Sequence, residues 1–251
     1  NINNYYNILN KQIVIVYNKY TISIANNLHK YFINLNYNTI IINYSDYEYS
    51  KYSNNLLILL APVNNLDFKY NYYILYQFEQ FINELFSKKY ISLIDNSLLS
   101  FDYSEINIQY LKNKYSNNLL VNKLHYLPNF YYKNDNKNQN TITVDLKYDI
   151  LIIGCINERR ERTINCLQKR FTIYIISTKE FKEYDSIEYI NILNQCQIVL
   201  NLHYYDNSIL ETTRLCEVLK YNKIVITENV LNFDINICDY SNNIFICEII
   251  K

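Results

Sequence analysis

Short runs of apolar, β-branched residues alternate along the chain with stretches whose apolar positions recur at helical spacing. In the first half "QIVIVY" (12–17) predicts a strand, and "TISIANNLHKYFINL" (21–35) predicts a helix because its apolar residues fall three and four apart. "YNTIIIN" (37–43), "NLLILLAP" (55–62) and "YYILYQ" (72–77) predict further strands. "FEQFINELF" (78–86) and "DYSEINIQYLKNKY" (102–115) predict helices, the second entered through Asp102 or Ser104 as N-cap. "VNKLHYLPNF" (121–130) predicts a last strand, stopped by Pro128.

From Tyr131 to Asp145 the periodicity lapses into polar residues, and then the pattern restarts. "YDILIIG" (148–154), "TIYIIS" (172–177), "QIVLNLH" (197–203) and "KIVITE" (223–228) predict strands. Between them "NERRERTINCLQKRF" (157–171), "SIEYINILNQC" (186–196) and "ILETTRLCEVLKY" (209–221) predict helices. Strands alternating with helices predict parallel sheets covered by helices. The expected architecture is therefore α/β, with two Rossmann-like domains over residues 1–130 and 148–251 and a linker over 131–147. No repeat of solenoid length is visible.

Composition narrows this picture only a little. Hydrophobic residues make up 49% of the 251 and charged residues 19%, which is enough apolar material for two cores. A formal net charge of zero gives no electrostatic ground for expecting nucleic acid or an anionic membrane as partner. No apolar run reaches the ~18–20 residues needed to span a bilayer, and the first residues lack the order of a signal peptide. The expectation is a cytoplasmic protein. Heavy use of Asn, Ile, Tyr and Lys is the imprint of an AT-rich genome, so the Asn runs are weak evidence of disorder. The absence of Met predicts a processed or trimmed chain. Six cysteines (Cys155, Cys166, Cys196, Cys216, Cys238 and Cys247) lie in the second half, without the paired spacing of a zinc site. Free thiols are expected, and no metal.

Candidate chemistry gathers in the second half. In open α/β sheets, ligands bind beyond the carboxyl ends of the strands. The first such loop holds Gly154, the one glycine of the chain, and Asn157 before a helix that carries Arg159 and Arg160. A helix N-terminus and fork-shaped guanidinium groups suit a phosphate. The alternative, a simple turn followed by a solvated helix face, is the commoner meaning of these residues taken alone. All five arginines lie in this half, which favours anion recognition. The second loop, "HYYDNSILE" (203–211), can bring His203 and Glu211 to one crevice as hydrogen-bonding partners for a sugar or a ribose. Each also has a structural alternative: a strand-end histidine bonded to backbone, and a carboxylate complementing a helix N-terminus.

"LNLHYYDNSILETTRLCEVLKYNKIVITE" resembles the donor-binding segment of group 1 glycosyltransferases of the GT-B fold, and "GCINERRERTINCL" resembles the Gly-x-x-Asn-x-Arg-Arg turn of a subgroup of them. "YYILYQFEQF", "FDYSEINIQYL" and "LHYLPNFY" are similar to that subgroup's first-domain segments. The resemblance implies two Rossmann-like domains facing across a cleft and metal-independent transfer of a sugar from a nucleotide-diphosphate donor, with no cofactor besides that substrate. Gly154, Asn157, Arg159, Arg160 and Arg214 would then meet the diphosphate. Glu211 would orient the nucleotide, while His203 positions the sugar or moves a proton. Tyr204 and Tyr205 would face the sugar, and Gln77 and Glu79 would border the acceptor side. Gln77 and Glu79 read equally well as a helix's polar face. His203 stands where relatives carry the first Glu of a Glu-x7-Glu pair. The turn after residue 17 lacks the relatives' glycines, and the chain stops before the helix that normally closes the fold. These departures favour the rival reading, a degenerate module that binds a nucleotide sugar, glycan or protein without turnover. An NAD- or flavin-dependent oxidoreductase is disfavoured, since no GxGxxG follows a strand.

Overall fold

A computed structural model of the protein describes residues 11–62, 69–80, 88–115, 123–129, 145–177, 184, 186–206, 208–230 and 244–247. The chain divides into two compact units, Asn1–Asn129 and Phe130–Lys251. Residues 131–144 of the expected linker lie outside the described residues.

The first unit runs β1 (Ile13–Tyr17), α1 (Ile22–Asn34), β2 (Thr39–Asn43), a 3-10 turn (Tyr44–Asp46), α2 (Tyr49–Tyr52), β3 (Leu56–Leu60), β4 (Tyr72–Gln77), α3 (Lys88–Asn96), β5 (Leu99–Asp102), α4 (Glu105–Lys114) and β6 (Leu124–Tyr126). Its six strands lie in the order β2-β1-β3-β4-β5-β6, and every pairing is parallel. All five residues of β3 are buried, as expected of a central strand covered on both faces. Fully burying each such Leu or Ile side chain is worth about 1.5–3 kcal/mol. Tyrosine fills much of this core, and two of its hydroxyls bond to carbonyls: Tyr73 Oη donates to the Leu93 carbonyl at 2.7 Å and Tyr76 Oη to the Leu127 carbonyl at 3.0 Å.

The second unit runs β7 (Tyr148–Ile153), α5 (Glu158–Leu167), β8 (Ile173–Ile176), α6 (Ile187–Asn194), β9 (Cys196–Asn201), α7 (Thr212–Leu219), β10 (Ile224–Glu228) and β11 (Ile244–Cys247). Its sheet has the order β11-β10-β9-β7-β8, again parallel throughout. The chain begins this sheet at β7, steps to one side for β8 and returns to the other side for β9. Strand order therefore reverses between β7 and β9, and such a switch point opens a crevice at the carboxyl ends of the two strands. Ile150, Ile152, Ile164, Leu200 and Leu202 form the core beneath it. Both units are thus Rossmann-like α/β folds with parallel sheets.

Several local expectations need correction. The helix expected over 78–86 lies mostly outside the described residues, and Phe78–Gln80 is not helical. A helix (α3) and a strand (β5) occupy residues that the apolar pattern left unassigned. Ser104, not Asp102, is the N-cap of α4, its side chain accepting from Asn107 N. Asp102 ends β5 instead, and its carboxylate accepts from Ser104 N at 2.8 Å. A further strand, β11, lies beyond β10.

Asparagine takes left-handed positions that glycine holds elsewhere. Asn36 (φ 63°) follows α1, with Asn36 N bonded to the Ile33 carbonyl and Tyr37 N to the Phe32 carbonyl, a Schellman ending. Asn222 (φ 57°) sits similarly after α7. The turn after β1 needs no glycine, because Asn18 Oδ1 accepts from Tyr20 N at 2.9 Å and Asn18 Nδ2 donates to the Ala61 carbonyl at 3.1 Å. Among the described residues no helix is long and apolar enough to cross a membrane.

Candidate functional site

The site is built on α5. Asn157 caps this helix, its Oδ1 accepting from Arg160 N at 3.0 Å, while its Nδ2 donates to the Tyr204 carbonyl at 2.8 Å. Asn157 thus ties the loop after β7 to the loop after β9, and both of its polar atoms are engaged within the protein. Ile164 anchors the helix in the core, and Arg160, one turn earlier on the same face, is carried inward with it. The arginines of α5 consequently have three different fates. Arg162 is solvated, its side chain 82% exposed and loosely paired with Glu158 at 3.7 Å. Arg159 is half-buried, and Arg160 is 2% exposed.

Arg159 is held by protein groups. Its Nη1 and Nη2 meet the Glu228 carboxylate at 2.9 and 2.5 Å, its Nε donates to Asp206 at 2.8 Å, and Nη1 also donates to the His203 carbonyl at 2.9 Å. Its bond to Glu228 holds its pKa above the ordinary arginine value. Arg214 on α7 is also paired, Nη1 donating to Glu211 at 2.5 Å and to Asn201 Oδ1 at 2.8 Å. Burial works against the Arg214 charge, yet Glu211 and Tyr184 raise its pKa overall. Burial likewise opposes the Glu211 charge, and Arg214 and His203 outweigh it, so Glu211 stays ionised.

Arg160 differs from both. Its Nη1 donates to the Cys155 carbonyl and its Nη2 to the Leu202 carbonyl, each at 2.5 Å, and its Nε has no hydrogen-bond partner. No carboxylate among the described residues lies within ion-pairing distance of it. Burial, with Arg214 beside it, pushes its pKa down to about 10. A buried guanidinium bonded only to carbonyls is costly, and Glu211 and Glu228 offset part of that cost from a distance. Gly154 makes the position possible. Its φ of 132° suits glycine, and a Cβ there would fall 2.8 Å from Arg160 Nη1 and 3.5 Å from Arg214 Nη2. The glycine therefore makes room first for the protein's own arginine rather than for a ligand.

His203 stands at the end of the same set of contacts. It is 3% exposed, its backbone N–H donates to the Glu228 carboxylate, and its Nε2 lies 3.3 Å from the Glu228 carbonyl. Its Nδ1 has no hydrogen bond and sits 3.8 Å from Glu211 Oε2. Tyr204 lies over the Arg160 guanidinium, 5.5 Å from ring centroid to Cζ, with Tyr205 edge-on to it at 4.8 Å.

No family model matches the chain, and no curated protein does.

Of the residues singled out from sequence, Gly154, Asn157, Arg159, Arg160, His203, Tyr204, Tyr205, Glu211 and Arg214 gather at the β7/β9 switch point. Gln77 and Glu79 belong to the first unit. Gln77 is fully buried at the end of β4, donating through Nε2 to the Glu79 carbonyl at 2.7 Å, and the Glu79 side chain is exposed. Glu228 escaped sequence reasoning as a site residue, although it binds Arg159 and His203 together. Its signals were its place at the carboxyl end of a strand near the reversal and its position as the last residue of the glycosyltransferase-like segment. Asn201, Asp206 and Tyr184 were missed as well, since polar residues of their kinds recur throughout this chain.

Proposed function

We propose that the second unit binds a nucleoside-diphosphate sugar at the switch point between β7 and β9, and that the protein transfers the sugar to an acceptor hydroxyl. The observation that carries this reading is Arg160, a buried guanidinium bonded only to carbonyls, with an unused Nε and with Arg214 alongside. A diphosphate supplies the missing negative charge. The likeness to group 1 glycosyltransferases of the GT-B fold adds the reaction type. In that reaction the acceptor oxygen bonds to the anomeric carbon as the bond from that carbon to the diphosphate oxygen breaks. The electron pair stays on the diphosphate, which also takes up the acceptor's proton. Arg160 and Arg214 stabilise this developing charge without a metal, a role in which one well-placed donor is worth about 10²–10³ in rate. Glu211 orients the nucleotide. Arg159 acts at one remove, holding the loop after β9 through Glu228 and the His203 carbonyl.

A second reading has its own support. Arg159 and Arg214 are already neutralised by carboxylates, and Arg160 lies beneath Tyr204, so the site can be a binding module without turnover. A panel of nucleoside-diphosphate sugars and hydroxyl acceptors, assayed for nucleoside-diphosphate release, separates the two. Transfer requires release that falls about 100-fold or more in Arg160→Met. Donor binding without release supports the module, and absence of binding by every donor removes the transferase reading and leaves only a module for a glycan or protein.

A further inference from the structure

The loop after β9 is tied to α5 through its backbone. Three successive carbonyls each accept from a side chain at the start of that helix: Leu202 from Arg160, His203 from Arg159 and Tyr204 from Asn157. With the Glu228 carboxylate on the His203 N–H, these bonds fix the course of the loop through residue 204. Asp206 makes a contact of another kind. Its Oδ1 accepts from Arg159 Nε at 2.8 Å, through a side chain that is 73% exposed. The loop already has its backbone anchors, and an ion pair so open to water adds little to stability. Charge balance gives the contact another purpose. Arg159, Arg160 and Arg214 stand against Asp206, Glu211 and Glu228, so each guanidinium of the site has a carboxylate to match it. Arg160 can still offer its unused Nε to one phosphate oxygen, but the set as a whole holds no spare positive charge for the rest of a diphosphate. One carboxylate has to give way. Glu228 grips Arg159 with both oxygens and is 5% exposed, and Glu211 lies between Arg214 and His203 at 18%. Asp206 holds a single nitrogen and can swing into water without leaving a buried group unpaired.

Resting on the anion-binding reading above, we propose that Asp206 is a built-in stand-in for the ligand's phosphate. Its carboxylate holds Arg159 Nε until a diphosphate displaces it, so the affinity of the site is set by a competition within the protein. The exchange breaks the bond from Arg159 Nε to Asp206 and forms one from the same nitrogen to a phosphate oxygen. The Nη groups of Arg159 stay on Glu228 and on the His203 carbonyl, so the loop keeps its anchors while the ligand is taken up. The two tasks of Arg159 thus fall to different nitrogens. Asp206, once released, carries its negative charge away from the incoming phosphates, which removes a repulsion as well as freeing a donor.

Titration calorimetry at pH 8 tests this with inorganic pyrophosphate and with uridine and guanosine diphosphate sugars as probes. Asp206→Asn keeps an oxygen for Arg159 Nε but loses the charge, and it should bind about threefold to tenfold more tightly than wild type. Asp206→Ala should tighten binding at least as much. Glu158→Gln removes a still more exposed carboxylate from α5, one that pairs with Arg162 instead, and should change affinity by less than about twofold. A gain in Asp206→Asn without one in Glu158→Gln supports the competition, and so does binding that emerges only once Asp206 is replaced. Equal gains in the two variants overturn it, because net charge alone would then be at work. Unchanged or weaker binding in Asp206→Asn, beside a wild type that binds, overturns it and leaves the anion reading intact. If neither wild type nor any variant binds a probe, the anion reading falls and this inference falls with it.

Discussion

The Arg160 guanidinium occupies the space that a side chain on Gly154 would need: a Cβ at that glycine would lie 2.8 Å from Arg160 Nη1. Gly154→Ala therefore combines a φ that L-residues rarely adopt with a steric conflict, and should cost about 1–3 kcal/mol. Urea denaturation of Gly154→Ala, Arg160→Ala and the double variant checks the cause. The two effects should fall short of additivity, because removing Arg160 removes the conflict and leaves only the backbone strain.

Glu228 is the tie between the loops after β7 and β9. Its carboxylate grips the half-buried Arg159 and also accepts from His203 N. Glu228→Ala should destabilise by about 2–4 kcal/mol, since it strips Arg159 of its bidentate partner and leaves a buried N–H without an acceptor. Glu228→Gln keeps an oxygen for His203 N and should cost clearly less. Chemical denaturation of the two variants provides the comparison, and equal losses would mean that the Arg159 charge, not the His203 N–H, dominates.

Asp102 in the first unit sets a pH dependence. It is fully buried at the end of β5, and burial raises its pKa well above the ordinary carboxylate value despite bonds from Ser104 N and Asn107 Nδ2. A carboxyl whose pKa is higher folded than unfolded favours folding while protonated. That contribution is complete below the unfolded value of about 3.9 and is lost as pH rises through the folded one. Asp102→Asn carries no such charge and can still accept from Ser104 N. Its stability relative to wild type should improve between pH 5 and pH 8, as read from denaturation midpoints at each pH. A relative decline over that range contradicts the assignment.

The same residue shows why part of the fold was hidden in the sequence. In β5 the buried positions are Ser100 and Asp102, whereas Leu99 and Phe101 are only partly buried. Hydrophobic alternation points such a strand the wrong way, so the apolar pattern leaves Leu99–Phe101 unassigned and takes Asp102 into the following helix. β7 and β9 were legible because Ile, Leu and Val hold all the buried positions in the carboxyl half of β7 and all but Asn201 in that of β9. The site was legible as a set of loops but not in its wiring. Arg160 shares a helical face with Ile164, and that spacing was the available sign that this arginine points inward. Nothing local distinguishes Glu228 from a solvated strand end, because its role depends on Arg159, which is 69 residues distant in sequence.

Thiol reactivity offers a probe of the site. Cys155 and Cys166 are exposed, while burial pushes the Cys196 thiol up to about 11 and the Cys216 thiol higher still. A maleimide at pH 7 should label Cys155 and Cys166 well ahead of Cys196 and Cys216. A bound nucleotide sugar should slow Cys155, which adjoins Gly154, and leave Cys166 unaffected. Peptide mapping of the labelled protein reads both rates.

Nitrogen-15 NMR of the arginine Nε–H groups tests the proposed anion contact at Arg160 most directly, because the chain has only five arginines to assign. Saturation with the tightest-binding nucleoside-diphosphate sugar should shift the Arg160 Nε–H signal and slow its exchange with water, leaving Arg162 and Arg170 where they were. A saturated complex in which the Arg160 signal keeps its position and exchange rate would contradict the account.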